Sequence, residues 1–132
     1  MNFTAEDKVI EIAKYYTWMG NDGIVRTVAK AGAEITLEDA KENTVAVETF
    51  YYGKTYPLLI DGRKVKSISK EARDHFSLKG RKSTVSSFAI LVKSPLSRII
   101  GNFFMGLNKP TVPVKLFDDE KEAIKWLKQF IS

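Results

Sequence analysis

The chain has 132 residues and a formal net charge of +5, and 44% of its residues are hydrophobic. This length and composition are typical of one globular domain with its own core. The absence of cysteine excludes disulfides and thiolate chemistry, and a single histidine excludes a histidine-rich metal centre. No apolar run approaches the roughly 18 residues of a membrane-spanning helix, and the first residues lack the pattern of a secretory signal. We therefore expect a single cytoplasmic domain over residues 1–132, with no cofactor and no metal ion.

An antiparallel hairpin is predicted near the start of the chain. Residues 14–19 (KYYTWM) and 24–30 (IVRTVAK) are rich in aromatic and β-branched side chains, and GNDG separates them. A turn that contains Asp-Gly between two such runs indicates two paired strands. The preceding segment, residues 6–13, either extends the first strand or forms a short helical turn.

A helix is predicted next, over residues 36–53. Thr36 and Asp39 have the spacing of a capping box, and Gly53 stands where a helix commonly ends. The inward face of this helix is predicted to contain Leu37, Ala40, Thr44, Val47 and Tyr51.

Strands and helices alternate through the rest of the chain. The predicted strands cover residues 55–61, 84–93 and 110–119, and the predicted helices cover residues 69–80, 94–107 and 118–131. The element order is therefore ββαβαβαβα. Strands that alternate with helices form a parallel sheet through right-handed crossovers. We expect an α/β fold with a mostly parallel five-stranded sheet, an N-terminal antiparallel hairpin and helices packed on the sheet.

The predicted helix at residues 94–107 carries a wide apolar stripe and has three possible roles. It is a core helix between two parallel strands, a membrane-contacting helix, or one wall of an apolar ligand cavity formed by Ile100, Phe103 and Phe104. An interfacial helix carries several basic residues on its polar face, and Arg98 stands alone here. The pattern therefore favours a core helix and leaves the cavity wall as the alternative.

A basic segment spans residues 63–82. It contains eight lysine and arginine residues against two acidic residues, a local excess of six positive charges. A solvated surface is the ordinary explanation of such a segment, and an acidic partner is the functional one. Phe76 is its only aromatic residue, so the segment lacks the stacking side chains of a nucleic-acid surface.

A candidate anion site follows the strand predicted at residues 84–93. In parallel sheets, ligands bind beyond the carboxyl ends of the strands. Ser94 begins the next predicted helix, where free backbone N–H groups favour an anion, and Lys93 and Arg98 flank it. A capped helix with solvated basic side chains is the ordinary explanation of this pattern, and a site that binds a phosphate or carboxylate group through these three residues is the functional one.

Three stretches of the chain resemble the STAS-like family of small bacterial proteins, which is related to sporulation anti-sigma-factor antagonists (SpoIIAA-like). They read GAEITLEDAKE, YPLLIDGRKVKSISKEARDHF and LVKSPLSRIIGNFFMGLNKPTVPVKLFDDEKEAIKWL. The resemblance implies a STAS-like fold, which is similar to that of the lipid-binding CRAL-TRIO domains. It also implies a phosphorylation switch in the antagonists, where an acid precedes a serine. Ser69 and Lys70 stand in those two places, so this chain departs from that pattern.

Two hypotheses about function follow. The first, which rests on the resemblance, the basic segment and the absence of a catalytic motif, is a non-enzymatic regulatory module. It would bind a protein partner through a surface around residues 61–75, for which we select Asp61, Arg63, Lys64, Lys66, Ser67, Ser69 and Lys70. The alternative is a carrier or sensor of an apolar or amphiphilic small molecule with an anionic head group.

A weak homodimer is predicted through the N-terminal hairpin. Its first strand contains Tyr15, Tyr16, Trp18 and Met19, so bulky side chains point to both faces of that strand. One face meets the core, and the other is then a candidate apolar patch.

Overall fold

The computed structural model describes residues 8–76, 84–93 and 112–131, and these residues form a mixed sheet with helices on both faces. Strands β1 to β8 cover Val9–Glu11, Tyr15–Met19, Val25–Ala29, Glu34–Ile35, Tyr56–Asp61, Ser67–Ile68, Val85–Leu91 and Val114–Phe117. Helices α1 to α3 cover Leu37–Glu48, Lys70–Phe76 and Glu120–Leu127, and a 3-10 turn follows at Lys128–Phe130.

The main sheet has six strands in the order β1-β2-β3-β5-β7-β8. The first three are antiparallel, and β3, β5, β7 and β8 are parallel to one another. The predicted α/β fold with a mostly parallel sheet and an N-terminal antiparallel hairpin is therefore confirmed. The predicted helix at residues 94–107 lies outside the described residues, as does the predicted continuation of α2 beyond Phe76.

The sheet has one strand more than predicted, because the ambiguous segment at residues 6–13 contains a separate short strand. The Ile12 N–H donates to the Tyr15 carbonyl across 2.9 Å, and this turn reverses the chain. β1 therefore lies antiparallel to β2, with Val9 opposite Trp18. The turn contains no Gly or Pro, which is why the pattern did not separate β1 from β2.

A second, two-stranded sheet was also absent from the prediction. β4 and β6 pair in parallel, with Glu34 opposite Ser67 and Ile35 opposite Ile68. Two-residue strands are too short to show a hydrophobic period. This small sheet packs on the side of α1 and α2, where Ile35 and Ile68 join the cluster around Tyr15.

The capping box that begins α1 is present as predicted. Thr36 and Asp39 exchange side-chain-to-backbone hydrogen bonds, at 3.3 Å from the Asp39 N–H and 2.9 Å from the Thr36 N–H. The helix ends at Glu48, before Gly53, which lies in the following loop with a φ of 89°. Tyr51 is consequently exposed and not part of the inward face.

Two apolar layers hold the helices to the sheet. On one face, Val47 and Phe50 from the end of α1 pack against Val25 and Leu58. On the other face, Ala123 and Leu127 of α3 pack against Leu59, Ala89 and Leu91. Consecutive residues along β3 and along β5 therefore pack into opposite layers, because side chains alternate along a strand.

A buried chain of hydrogen bonds crosses the layer beneath α1. The Asn43 Nδ2 donates to Thr27 Oγ1 at 2.7 Å, and Thr27 Oγ1 lies 2.9 Å from Thr17 Oγ1. All three side chains are buried. A hydroxyl has one hydrogen and can accept as well as donate, so Thr27 satisfies both of its neighbours. The hydrogen bond to Thr27 explains why Asn43 faces inward, although the apolar spacing of α1 does not predict a buried polar residue at this position.

We expect Thr27→Val to lower the free energy of unfolding by about 2–3 kcal/mol, because it leaves polar atoms of both Asn43 and Thr17 buried without their partner. Thr17→Val keeps the bond between Asn43 and Thr27, and we expect it to lower the free energy of unfolding by about 1 kcal/mol. Urea titration of the two variants measures the difference. Equal losses would contradict the central role of the Thr27 hydroxyl.

Candidate functional site

A cleft of about 310 Å3 opens at the carboxyl ends of β3 and β5. It lies on the α3 face of the sheet, beside the helix and over β2 and β3. The register explains its position, since Trp18, Arg26 and Leu59 are neighbours across three strands and share one face. The loop after β5 and the first residue of α3, Glu120, complete the wall.

The floor of the cleft is apolar and aromatic. Trp18 and Leu59 are buried, and Tyr16 and Val28 are half-buried above them. Alternation along β2 and β3 directs these side chains to the same face. A planar or apolar part of a ligand therefore has a surface to contact here.

Arg26 forms one side of the cleft, and Asp22 holds its guanidinium group. Nη1 donates to Asp22 Oδ1 at 2.8 Å and Nη2 donates to Asp22 Oδ2 at 2.7 Å, in a bidentate pair. Nη1 also donates to the Ile24 carbonyl at 3.0 Å. The hairpin turn leaves room for this arrangement because residue 20 is glycine: a Cβ there would lie 2.1 Å from Arg26 Nη1.

Arg63 also lines the cleft, and Asp61 holds it in the same way. Arg63 Nε donates to Asp61 Oδ1 at 2.9 Å and Nη2 donates to Oδ2 at 2.6 Å. The Arg63 backbone N–H donates to Asp61 Oδ1 at 3.1 Å, so the carboxylate also shapes the loop. The hydrogen bonds and charge of Asp61, with the charge of Glu120, raise the pKa of the Arg63 guanidinium.

Lys30 and Lys64 are the other two cations of the cleft. Lys30 Nζ donates to Glu11 Oε2 at 2.7 Å and lies 4.9 Å from the centre of the Tyr16 ring. Hydrogen bonding to Glu11 raises the pKa of the Lys30 ammonium group. Lys64 is exposed at the rim.

The charges around the cleft nearly balance. Four cations and two carboxylates line it, a formal excess of two positive charges. Glu11 and Asp22, which pair with Lys30 and Arg26 from just outside the lining, bring the total to neutrality. Arg26, Lys30 and Arg63 are therefore oriented by their own carboxylates before any ligand arrives, whereas Lys64 has no ion pair with a described carboxylate.

The structure divides the residues selected for partner binding into two groups. Asp61, Arg63 and Lys64 line the cleft. The second group continues along β6 and the start of α2, on the side of α1, and contains Lys66, Ser67, Ser69 and Lys70. These four are not among the described residues that line the cleft. Ser69 Oγ accepts from the Ala72 N–H at 3.1 Å, as the N-terminal cap of α2.

The candidate anion site and the candidate cavity wall fall mostly outside the described residues. Lys93 is exposed just after β7. Ser94, Arg98, Ile100, Phe103 and Phe104 lie outside the described residues, so these hypotheses stay predictions.

Sequence reasoning missed most of the cleft. Several residues that line it were not selected as site residues, namely Tyr16, Trp18, Arg26, Lys30 and Glu120. Alternation along residues 24–30 signals that Arg26 and Val28 share a face. It does not reveal that this face adjoins Asp61, which depends on the pairing of β3 with β5.

The apolar patch expected on the hairpin is not present. Tyr15 and Trp18 are buried, and Tyr16 and Met19 are half-buried. Tyr15 packs into the α1 side and Trp18 into the cleft floor, so both faces of β2 meet other parts of the chain. The homodimer itself stays a prediction, but an exposed apolar patch on β2 no longer supports it.

Two further properties concern only the described residues. No helix in residues 8–76, 84–93 and 112–131 is long and apolar enough to cross a bilayer. In the same ranges, no three acidic or histidine side chains converge as metal ligands would.

Comparison with known proteins places the chain near domains of undefined function. The family model described as "Domain of unknown function (DUF7793)" matches residues 17–131. An uncharacterized DUF3478 family protein from Shewanella loihica PV-4, described as having a SpoIIAA-like fold, is 21% identical with a TM-score of 0.55. That match covers 92% of this chain and 91% of the other, and it confirms the predicted SpoIIAA-like fold.

A protein with unknown function from Arthrobacter sp. FB24 is 31% identical, over 84% of this chain and 96% of that one, with a TM-score of 0.33. No protein of curated function matches the sequence.

The Asp22–Arg26 pair predicts a specific acid dependence of stability. Burial alone would raise the pKa of the Asp22 carboxyl, but hydrogen bonds from Arg26 and the Ile24 N–H, with the Arg26 charge, lower it below 3.8. A lowered pKa in the folded state stabilises the fold above the unfolded pKa of about 4, and this contribution is lost as the pH falls through the folded pKa.

We expect Asp22→Asn to be less stable than the wild type at neutral pH and to lose less stability on acidification. Urea titrations at neutral pH and below about pH 4 measure both effects. Arg26→Gln should reduce the same acid dependence, because it removes the partner. An Asp22→Asn variant with the full acid dependence of the wild type would contradict this assignment.

Proposed function

We propose that this chain, which belongs to the DUF7793 family, is a non-enzymatic interaction module that binds an acidic surface of a partner protein. The binding surface is a basic strip, which we define as Lys64, Lys66 and Lys70 with Ser67 and Ser69 between them. The observation that carries the proposal is that this strip combines exposed cationic side chains with a fixed backbone.

The backbone of the strip is tied to the segment that contains β4. The Gly32 N–H donates to the Lys64 carbonyl at 2.8 Å, and the Lys66 N–H donates to the Ala33 carbonyl at 2.9 Å. The Ser69 N–H donates to the Ile35 carbonyl at 2.9 Å. A surface that is already ordered loses less conformational entropy when a partner binds.

The three lysines of the strip are exposed. In contrast to Lys14 and Lys30, none of them forms an ion pair with a described carboxylate. Their charges therefore remain available to a partner. Complementary charge accelerates association and selects the partner.

The chain departs from the antagonist pattern at residues 69 and 70. This departure supports an interaction that does not depend on phosphorylation at the position of the antagonist serine. Ser69 stands where the family has the acid, and its hydroxyl caps α2. Lys70 stands where the family has the serine and adds a positive charge to the strip.

The carrier of an amphiphilic small molecule remains the alternative. Its apolar wall was assigned to Ile100, Phe103 and Phe104, which lie outside the described residues. The expectations of one domain, a cytoplasmic location and no catalytic activity also stay predictions.

A capture experiment with matched charge reversals tests the proposal. Lys66→Glu/Lys70→Glu alters the strip and leaves the cleft unchanged, whereas Lys41→Glu/Lys121→Glu makes the same change of charge on exposed positions of α1 and α3. From a native lysate, we expect the wild type and the α1/α3 variant to retain the same acidic protein. Retention by the strip variant should fall at least about fivefold and should decrease with salt in the wild type. Equal recovery by all three baits would refute the proposal.

A further inference from the structure

We infer that the cleft is a binding site for a small aromatic monocarboxylic acid, and that it shares only Lys64 with the basic strip. The ring would lie on the floor formed by Tyr16, Trp18 and Val28, and the carboxylate would face Arg63 and Lys64. This inference goes beyond the proposed partner binding and does not depend on it, because the cleft and the lysines at positions 66 and 70 are different surfaces.

The cleft has room for a small molecule. Its volume of about 310 Å3 is at the lower end of the range of about 300–1,000 Å3 that is typical of small-molecule pockets. One ring with a short side chain fits such a space.

The floor favours a ring over an aliphatic chain. Tyr16 presents an aromatic side chain that is half-buried, and the buried side chains of Trp18 and Leu59 line the same cleft. Aromatic rings prefer offset or edge-to-face contacts with other rings, which adds to the effect of apolar burial. The guanidinium groups in the lining can also lie over the face of a bound ring.

The charge balance favours one negative charge on the ligand. Bidentate carboxylates already hold Arg26 and Arg63, and Glu11 holds Lys30. A polyanion would have to break several of these pairs, at the cost of leaving carboxylates without partners. Lys64, which has no ion pair with a described carboxylate, can take one new carboxylate without such exchange. Arg63, whose bonds to Asp61 use Nε and Nη2 and not Nη1, lines the same cleft.

The chain carries its own reporter for this site. It has two tryptophans, and Trp18 lines the cleft whereas Trp126 packs against Phe117 and Phe130. In a Trp126→Phe background, the emission therefore reports Trp18 alone. Phenylacetate is a suitable probe, with phenylacetamide as its uncharged match, cyclohexylacetate as its non-aromatic match and citrate as a polyanion.

We expect phenylacetate to change the Trp18 emission in a saturable way, with a dissociation constant roughly in the millimolar range for so small a ligand. Phenylacetamide, cyclohexylacetate and citrate should each bind at least about tenfold more weakly than phenylacetate. Phenylacetamide lacks the negative charge, cyclohexylacetate lacks the aromatic ring, and citrate lacks the ring and carries additional negative charges. No saturable change with phenylacetate, or equal or tighter binding of phenylacetamide, cyclohexylacetate or citrate, would overturn the inference.

Two variants and one control locate the site. Lys64→Gln should weaken phenylacetate binding about tenfold, and Lys66→Gln, an exposed lysine two residues further along, should leave it unchanged. Gly20→Ala displaces the Arg26 guanidinium without changing any charge, so it should alter binding while thermal unfolding shows that the variant is folded. The same affinity in Lys64→Gln and Gly20→Ala as in the parent would place the ligand elsewhere and overturn the assignment.

Discussion

β3 pairs with an antiparallel neighbour on one edge and a parallel neighbour on the other, and the rest of the structure depends on this double pairing. Its register aligns Arg26 with Trp18 in β2 and with Leu59 in β5. Because side chains alternate, the same register directs Thr27 to the α1 side. A slip by one residue would place Arg26 in the apolar layer beneath α1 and remove the Thr27 hydroxyl from Asn43. The cleft and the buried hydrogen-bond chain therefore depend on one choice of register.

Short-range bonds and long-range pairing make different contributions to the cleft. Asp22 holds Arg26 across four residues, and Asp61 holds Arg63 across two. Each pair is thus set by its own turn. The sheet then brings both arginines to the lining of one cleft. Preorganised charges of this kind lose little freedom on binding, but each remains partly neutralised, which limits the charge of any ligand they accept.

The loop after β5 connects two surfaces of different character. Residues Asp61 and Arg63 face the cleft, and the chain then turns toward β6 and α2 on the α1 side. Lys64 contributes to both surfaces. A partner that contacts the basic strip would therefore lie next to whatever occupies the cleft. The SpoIIAA-like fold provides the frame for this arrangement, but a fold alone does not define what is bound, which depends on these side chains.

The sequence by itself determined the α/β class, the hairpin, the capping box at Thr36 and the parallel order of the later strands, because local punctuation and periodicity encode these features. It also indicated that Asp61, Arg63 and Lys64 follow a strand end. Tertiary structure alone decided that Tyr16, Trp18, Arg26 and Lys30 join them, because register between distant strands leaves no local signal. The same holds for the pairing of β4 with β6 and for the inward position of Asn43. Each depends on a partner that is distant in sequence, and the free energy that stabilises it comes from that contact.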